Sequence, residues 1–218
     1  MQEYTGADME MKENEGSTGR IGIMGGTFDP IHSGHLILGE CAYEQFHLDK
    51  VLFMPSGNPP HKPVRDGGAT NEQRVRMVEL AIKGNDHFEL SMEEMHELGY
   101  IYTSKTLTRM TEENPGQRYF FILGADSLMR FETWREPATI CRLCTLIVAV
   151  RDHMPQEELD RQIEHISNLF DADIRKLSTP NVDVSSSMIR DWLRQGRSCK
   201  YYLMDEQIEY IRREGIYQ

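Results

Sequence analysis

Gly25-Gly26-Thr27-Phe28-Asp29-Pro30-Ile31-His32-Ser33-Gly34-His35 is the stretch whose reading decides the fold. The apolar run Ile21-Gly22-Ile23-Met24 enters it, and an apolar-periodic run starting Leu36-Ile37-Leu38 leaves it toward Phe46. That order reads as a buried strand, a tight turn and a helix start. Gly25 and Gly26 lack the Cβ that would keep a ligand away from the backbone. His32 and His35, three apart, fall one above the other on the first helical turn. The free N–H groups and positive dipole end of that helix favour an anion, and a phosphate suits the arrangement.

Outward from this stretch, strands alternate with helices. Apolar runs predict strands at 20–24, 50–54, 88–91, 119–123 and 145–150, with an extended segment at 174–177. Between them, Thr70-Asn71-Glu72-Gln73 fits a capping box, in a helix whose Arg74 and Arg76 are expected to be solvated. Thr103 is expected to cap a helix that ends at Asn114-Pro115-Gly116. Further helices are expected at 154–170, 186–195 (closed by Gly196) and 205–214. The fold class is therefore α/β, a three-layer Rossmann-like fold with a mainly parallel sheet. Right-handed crossovers bring the strand C-termini to one edge. That edge gathers the histidine turn, the proline-rich loop Pro55-Ser56-Gly57-Asn58-Pro59-Pro60-His61-Lys62-Pro63, Gly124-Ala125-Asp126 and the Ser185 region. Residues 1–19 are polar and read as a disordered extension. Residues 20–218 read as one domain that includes a small C-terminal helical part.

Bulk properties narrow the function. The chain has 218 residues and a net charge of −11. It is a poor non-specific nucleic-acid binder, and any phosphate site must be locally positive. No apolar run is long enough to span a membrane and no signal-peptide core opens the chain, which points to a cytoplasmic protein. Cys141-x-x-Cys144 has no second half to complete a zinc site and reads as buried thiols.

Four motifs carry chemistry. His32 and His35 can donate ring N–H groups to phosphate oxygens as charge develops in a transfer reaction; their rival readings are loop capping or metal binding helped only by Asp29. In Val184-Ser185-Ser186-Ser187-Met188-Ile189-Arg190, hydroxyls at a helix start cap it or hold phosphate, and Arg190 lies one turn in. Alone, that motif reads more simply as a capped helix with a surface arginine. Lys62 either meets a substrate phosphate or is a solvated charge. Gly124-x-Asp126 is placed to contact a ribose or base, and Trp134 either stacks on a base or packs beneath a loop. The chain has no Gly-x-x-x-x-Gly-Lys-Ser/Thr loop, and no Gly-x-Gly-x-x-Gly follows the first strand.

In this order, the motifs resemble the bacterial nicotinate-nucleotide adenylyltransferase family, of the nucleotidyltransferase superfamily with the HxGH signature. Residues 25–36 match its GGTFDPIHxGHL, residues 53–62 its FxPxxxPPHK, and Tyr102-Thr103-x-x-Thr106-Leu107 its SYTxxTL. Residues 121–134 match FIxGxDxLxxFxxW, and residues 184–190 match ISSTxIR. The resemblance implies transfer of AMP from ATP to nicotinate mononucleotide, giving nicotinate adenine dinucleotide and pyrophosphate, with Mg²⁺ arriving on ATP. It assigns His32, His35 and Arg190 to catalysis. Gly25, Gly26, Thr27, Phe28, Gly34, Asp126, Ser186 and Ser187 fall to the ATP side. Lys62, Thr103, Gly124 and Trp134 fall to the mononucleotide. No metal-ligating residue and no oligomeric state is assigned. Another acceptor, such as phosphopantetheine or nicotinamide mononucleotide, and a non-catalytic nucleotide-binding regulator remain as alternatives.

Overall fold

The apolar runs all become neighbours in one parallel sheet. The structure, a computed structural model, describes residues 19–57, 67–95, 100–150 and 155–218. The strands are β1 (Gly19–Gly26), β2 (Lys50–Pro55), β3 (Phe88–Leu90), β4 (Gln117–Gly124), β5 (Cys144–Ala149) and β6 (Ile174–Leu177). Their order is β3-β2-β1-β4-β5-β6, and every pairing is parallel. Strand order reverses between β1 and β4, the place where open α/β sheets leave a crevice at their carboxyl ends.

The helices are α1 (Ser33–Gln45), α2 (Asn71–Ile82), α3 (Thr103–Glu113), α4 (Ala125–Leu128), α5 (Pro137–Leu143), α6 (Gln156–Phe170), α7 (Ser186–Arg194) and α8 (Asp205–Arg213). Alternation along each strand sends side chains to two cores. From β4, Phe120 and Ile122 join Met24, Phe53, Met77, Ile189 and Ile211 on one face. Tyr119, Phe121 and Leu123 join Ile21, Leu107, Ile140, Leu146 and Leu159 on the other. Burial on both faces explains why these strands read as continuous apolar runs. The C-terminal helices α7 and α8 share the first core with α1 and α2, which carries the α7 start to the histidine turn.

Several expectations needed correcting. The α2 capping box forms, with Gln73 N–H donating to Thr70 Oγ1 at 3.2 Å and Thr70 N–H to Gln73 Oε1 at 2.9 Å. Arg76 is solvated as expected, but Arg74 is 4% exposed: it turns inward to backbone carbonyls at the carboxyl ends of two strands. Thr103 does not cap α3; it is the first helical residue after Tyr102. The short α5 was not foreseen. The expectations for residues 1–18, and for Lys62 within 58–66, lie outside the described residues.

Phe53 is fully buried, with its ring 4.7 Å from Phe88 and 6.2 Å from Phe28, beneath the histidine turn. Phe53→Ala should lower the free energy of unfolding by about 3–5 kcal/mol, measured by urea denaturation.

Candidate active site

The histidine turn is pinned residue by residue from three helices and the segment between two of them. From α2, Arg74 donates to the Thr27 carbonyl. From α7, Arg190 donates to the Asp29 carbonyl, and Ser186 Oγ donates to the Pro30 carbonyl at 2.9 Å. From α8, Gln207 donates to the Ile31 carbonyl at 3.3 Å and to the Met77 carbonyl at 3.2 Å. Ahead of α8, the Tyr202 carbonyl accepts from Ser33 N–H at 2.8 Å. Phe28, between the two arginine-held carbonyls, has φ +51°, a left-handed conformation rare for a bulky residue. Its ring is 2% exposed and meets the His35 ring edge-on at 5.1 Å.

Arg190 and Arg74, each under 10% exposed, face a single carboxylate, Asp29. Arg190 Nη1 lies 3.7 Å from Asp29 Oδ2. Burial pulls the Arg74 guanidinium below its usual pKa, and the Asp29 charge opposes that pull. The other Asp29 oxygen accepts from Tyr217 Oη at 2.6 Å and from Ala69 N–H at 3.1 Å. Positive charge thus exceeds negative in this cluster, as a phosphate site in a chain of charge −11 requires. Asp29 is committed to these partners, which removes the carboxylate helper of the metal-binding reading. Among the described residues, no three His, Cys, Asp or Glu side chains cluster as metal ligands.

His32 and His35 open α1. Their rings lie 3.8 Å apart, and His35 Nδ1 accepts the His32 backbone N–H at 3.2 Å. A neutral His35 therefore carries its proton on Nε2, as a donor. His32 is 3% exposed, whereas His35 is half-buried. The α7 start meets the α1 start, since a Cβ on Gly34 would lie 2.8 Å from Val184 Cγ1. Two positive dipole ends converge there. The side-chain cap of α7 is Ser185, which accepts from Met188 N–H at 3.2 Å. Ser186 is spent on the turn, and Ser187 is exposed. Arg190, expected on the surface in the simplest reading of its motif, is buried.

The site glycines differ in what surrounds them. A Cβ at Gly25 would lie 3.3 Å from the Phe121 ring, and one at Gly26 would lie 3.1 Å from the Phe28 ring. Both make room for protein rings. Gly124, at the end of β4, faces open space, and Asp126 is exposed just after it. Trp134 is half-buried, with its ring edge-on to Phe121 at 6.0 Å and 5.3 Å from Phe131. Packing therefore accounts for part of its role. Phe121 stands between it and Gly25. Arg135 lies 6.0 Å from the Tyr102 ring, which brings the Trp134 segment beside half-buried Thr103.

Sequence reading missed Arg74, Tyr217 and Gln207 as parts of the site, and considered Asp29 only as a helper of a metal. The cysteines are free thiols. Burial pushes Cys141 up to about 11 and Cys144 higher still, so neither is poised as a nucleophile.

A parallel sheet with two helix starts and buried arginines at its switch point defines a nucleotide-transfer fold, and the cytidylyltransferase-like family profile matches residues 23–191. A protein of Lachnoclostridium phytofermentans named "probable nicotinate-nucleotide adenylyltransferase" is 38% identical over 198 residues, 91% of this chain and 98% of its own. A Moorella thermoacetica protein of the same name is 38% identical, covering 92% of each chain. The Plasmodium falciparum nicotinic acid mononucleotide adenylyltransferase complexed with NaAD shares the fold, with a TM-score of 0.74 at 20% identity over 91% of this chain and 97% of that one. The chain belongs to the nicotinate-nucleotide adenylyltransferase family of nucleotidyltransferases.

Burial and the Asp29 carboxylate raise the Tyr217 phenol above its usual value. Its stabilising bond is then fully present below about pH 10, the unfolded value, and is lost as pH rises through the higher folded value. Tyr217→Phe should cost about 1.5–3 kcal/mol at pH 8. Between pH 9 and 11, its melting temperature should fall less steeply than that of the parent.

Proposed function

We infer that the chain transfers the adenylyl group of ATP to nicotinate mononucleotide, releasing nicotinate adenine dinucleotide and pyrophosphate in NAD biosynthesis. The observation that carries this reading is the convergence of the α1 and α7 starts on a turn backed by Arg74 and Arg190 at the sheet's switch point. An oxygen of the mononucleotide phosphate attacks the α-phosphorus of ATP in line. The bond from α-phosphorus to the bridging oxygen breaks, and pyrophosphate leaves with that electron pair. Catalysis is positioning and charge stabilisation.

In this reading His35 Nε2–H, with His32 behind it, meets the ATP phosphates. Arg190 and the α7 start bearing Ser186 and Ser187 balance charge on the β/γ side. Gly25, Gly26, Thr27, Phe28 and Gly34 shape the turn where the two nucleotides meet, and Asp126 contacts the adenosine. Gly124 leaves room beside the mononucleotide, Thr103 and Trp134 hold its ring, and Lys62 meets its phosphate. Mg²⁺ comes as part of the MgATP substrate, held by phosphate oxygens and water. We further take residues 20–218 as one nucleotidyltransferase domain working in the cytoplasm. Among the described residues no helix is long and apolar enough to cross a membrane.

Assaying pyrophosphate release with ATP and an acceptor panel tests the reading. Nicotinate mononucleotide should give the highest kcat/KM. Preference for nicotinamide mononucleotide or phosphopantetheine would refute the acceptor, and ATP binding without turnover of any acceptor would favour a regulator. His35→Ala should lower kcat by about two to three orders of magnitude in a folded protein. Trp134→Ala should raise KM for the mononucleotide by about tenfold or more with little change in kcat. Lost stability at unchanged KM would mean that the indole only packs.

A further inference from the structure

Arg74 joins the turn after β1 to residues 56–57, the segment that directly follows β2, through one guanidinium. One guanidinium nitrogen, Nη1, holds the Thr27 carbonyl. The other, Nη2, donates to the Ser56 carbonyl at 2.7 Å and makes a longer contact to the Gly57 carbonyl at 3.4 Å. Asn71 Oδ1, one helical turn back on α2, accepts from the same nitrogen at 2.7 Å. The strand ends are themselves adjacent, with Gly26 level with Pro55 and Ser56 N–H donating to the Gly26 carbonyl at 2.8 Å.

The far side of the β2 segment is braced too. Ser56 Oγ donates to Glu94 Oε2 at 3.0 Å, and Gly57 N–H donates to the Glu94 carbonyl at 3.0 Å. A Cβ on Gly57 would lie 2.6 Å from that carbonyl. Segment 56–57 is thus fixed between Arg74 and Glu94, while Thr27 is fixed to Arg74 alone among these groups.

We propose that Arg74 is a positioning residue for nucleotidyl transfer: its planar fork sets the distance between the turn that meets ATP and the strand end that leads to the acceptor's side. The geometry has a direct consequence for the turn. The Thr27–Phe28 peptide is trans, so its carbonyl and N–H point in opposite directions. With Thr27 O drawn to α2, the Phe28 N–H faces away from α2. A lysine cannot reproduce this, because a single ammonium lacks the rigid fork that spans two carbonyls. The proposal rests on the two-nucleotide reading of the site.

The test is Arg74→Met and Arg74→Lys beside the parent. Steady-state kcat and both KM values are measured well below each melting temperature, with calorimetric binding of α,β-methylene ATP. The parent's turnover in the same assay reports on the functional reading independently, and the comparison is run with whichever acceptor the parent uses. Arg74→Met should lower kcat roughly a hundredfold, the scale of a misplacement near 1 Å. Arg74→Lys should recover only part of the loss, and binding of the ATP analogue should weaken less than kcat falls. A folded Arg74→Met with kcat and both KM values within twofold of the parent overturns the proposal. If Arg74→Met does not fold, Arg74→Lys decides, and parental kcat in that variant overturns it equally.

Discussion

The site depends on the bracketing of one strained residue by two buried arginines. Phe28 adopts a left-handed backbone that a non-glycine side chain resists, a cost on the order of 1–2 kcal/mol. It persists because Arg74 holds the carbonyl before it and Arg190 holds the carbonyl of the next residue. Each guanidinium is in turn stabilised by the Asp29 carboxylate, which Tyr217 and Ala69 orient. Removing a member leaves a buried charge poorly matched, so the cluster is held together as a unit.

This arrangement also resolves the charge problem posed by the chain. The protein is strongly acidic, yet its histidine turn is lined from behind by two cations and from the sides by two helix starts. The local field is set by groups too buried to bind bulk anions indiscriminately. His35, half-buried and with its Nδ1 already accepting a backbone proton, is left with Nε2 as its donor when neutral.

Much of the fold was legible because strands buried on both faces leave continuous apolar runs. β6 falls on the segment expected from Ile174 to Leu177, and the α2 capping box forms as its four residues announce. The helix α5 was hidden because seven residues give too short a window for a period, and its Cys141, paired in sequence with Cys144 at the start of β5, drew attention to metal chemistry. Within the site, the histidines and the Ser185 segment were legible as local motifs. Arg74 was not, because a charged residue on a helix is normally solvated and its partners Thr27 and Ser56 lie 47 and 18 residues away. Ser186 was read as a phosphate ligand or cap for the same reason: its partner, Pro30, is 156 residues distant. Gly25 and Gly26 were marked as positions where a missing Cβ lets a ligand approach the backbone, and the groups a Cβ there would crowd are the Phe121 and Phe28 rings.

The central claim is that this braced turn is where the two nucleotides are joined. A crystal structure of the protein with nicotinate adenine dinucleotide tests it most directly. The account predicts the diphosphate of the dinucleotide at the α1 start, within hydrogen-bond distance of His35 Nε2 and the Phe28 backbone N–H. A diphosphate bound away from the turn, for instance in the groove between α7 and α8 lined by Arg197, Lys200 and Arg212, would contradict it.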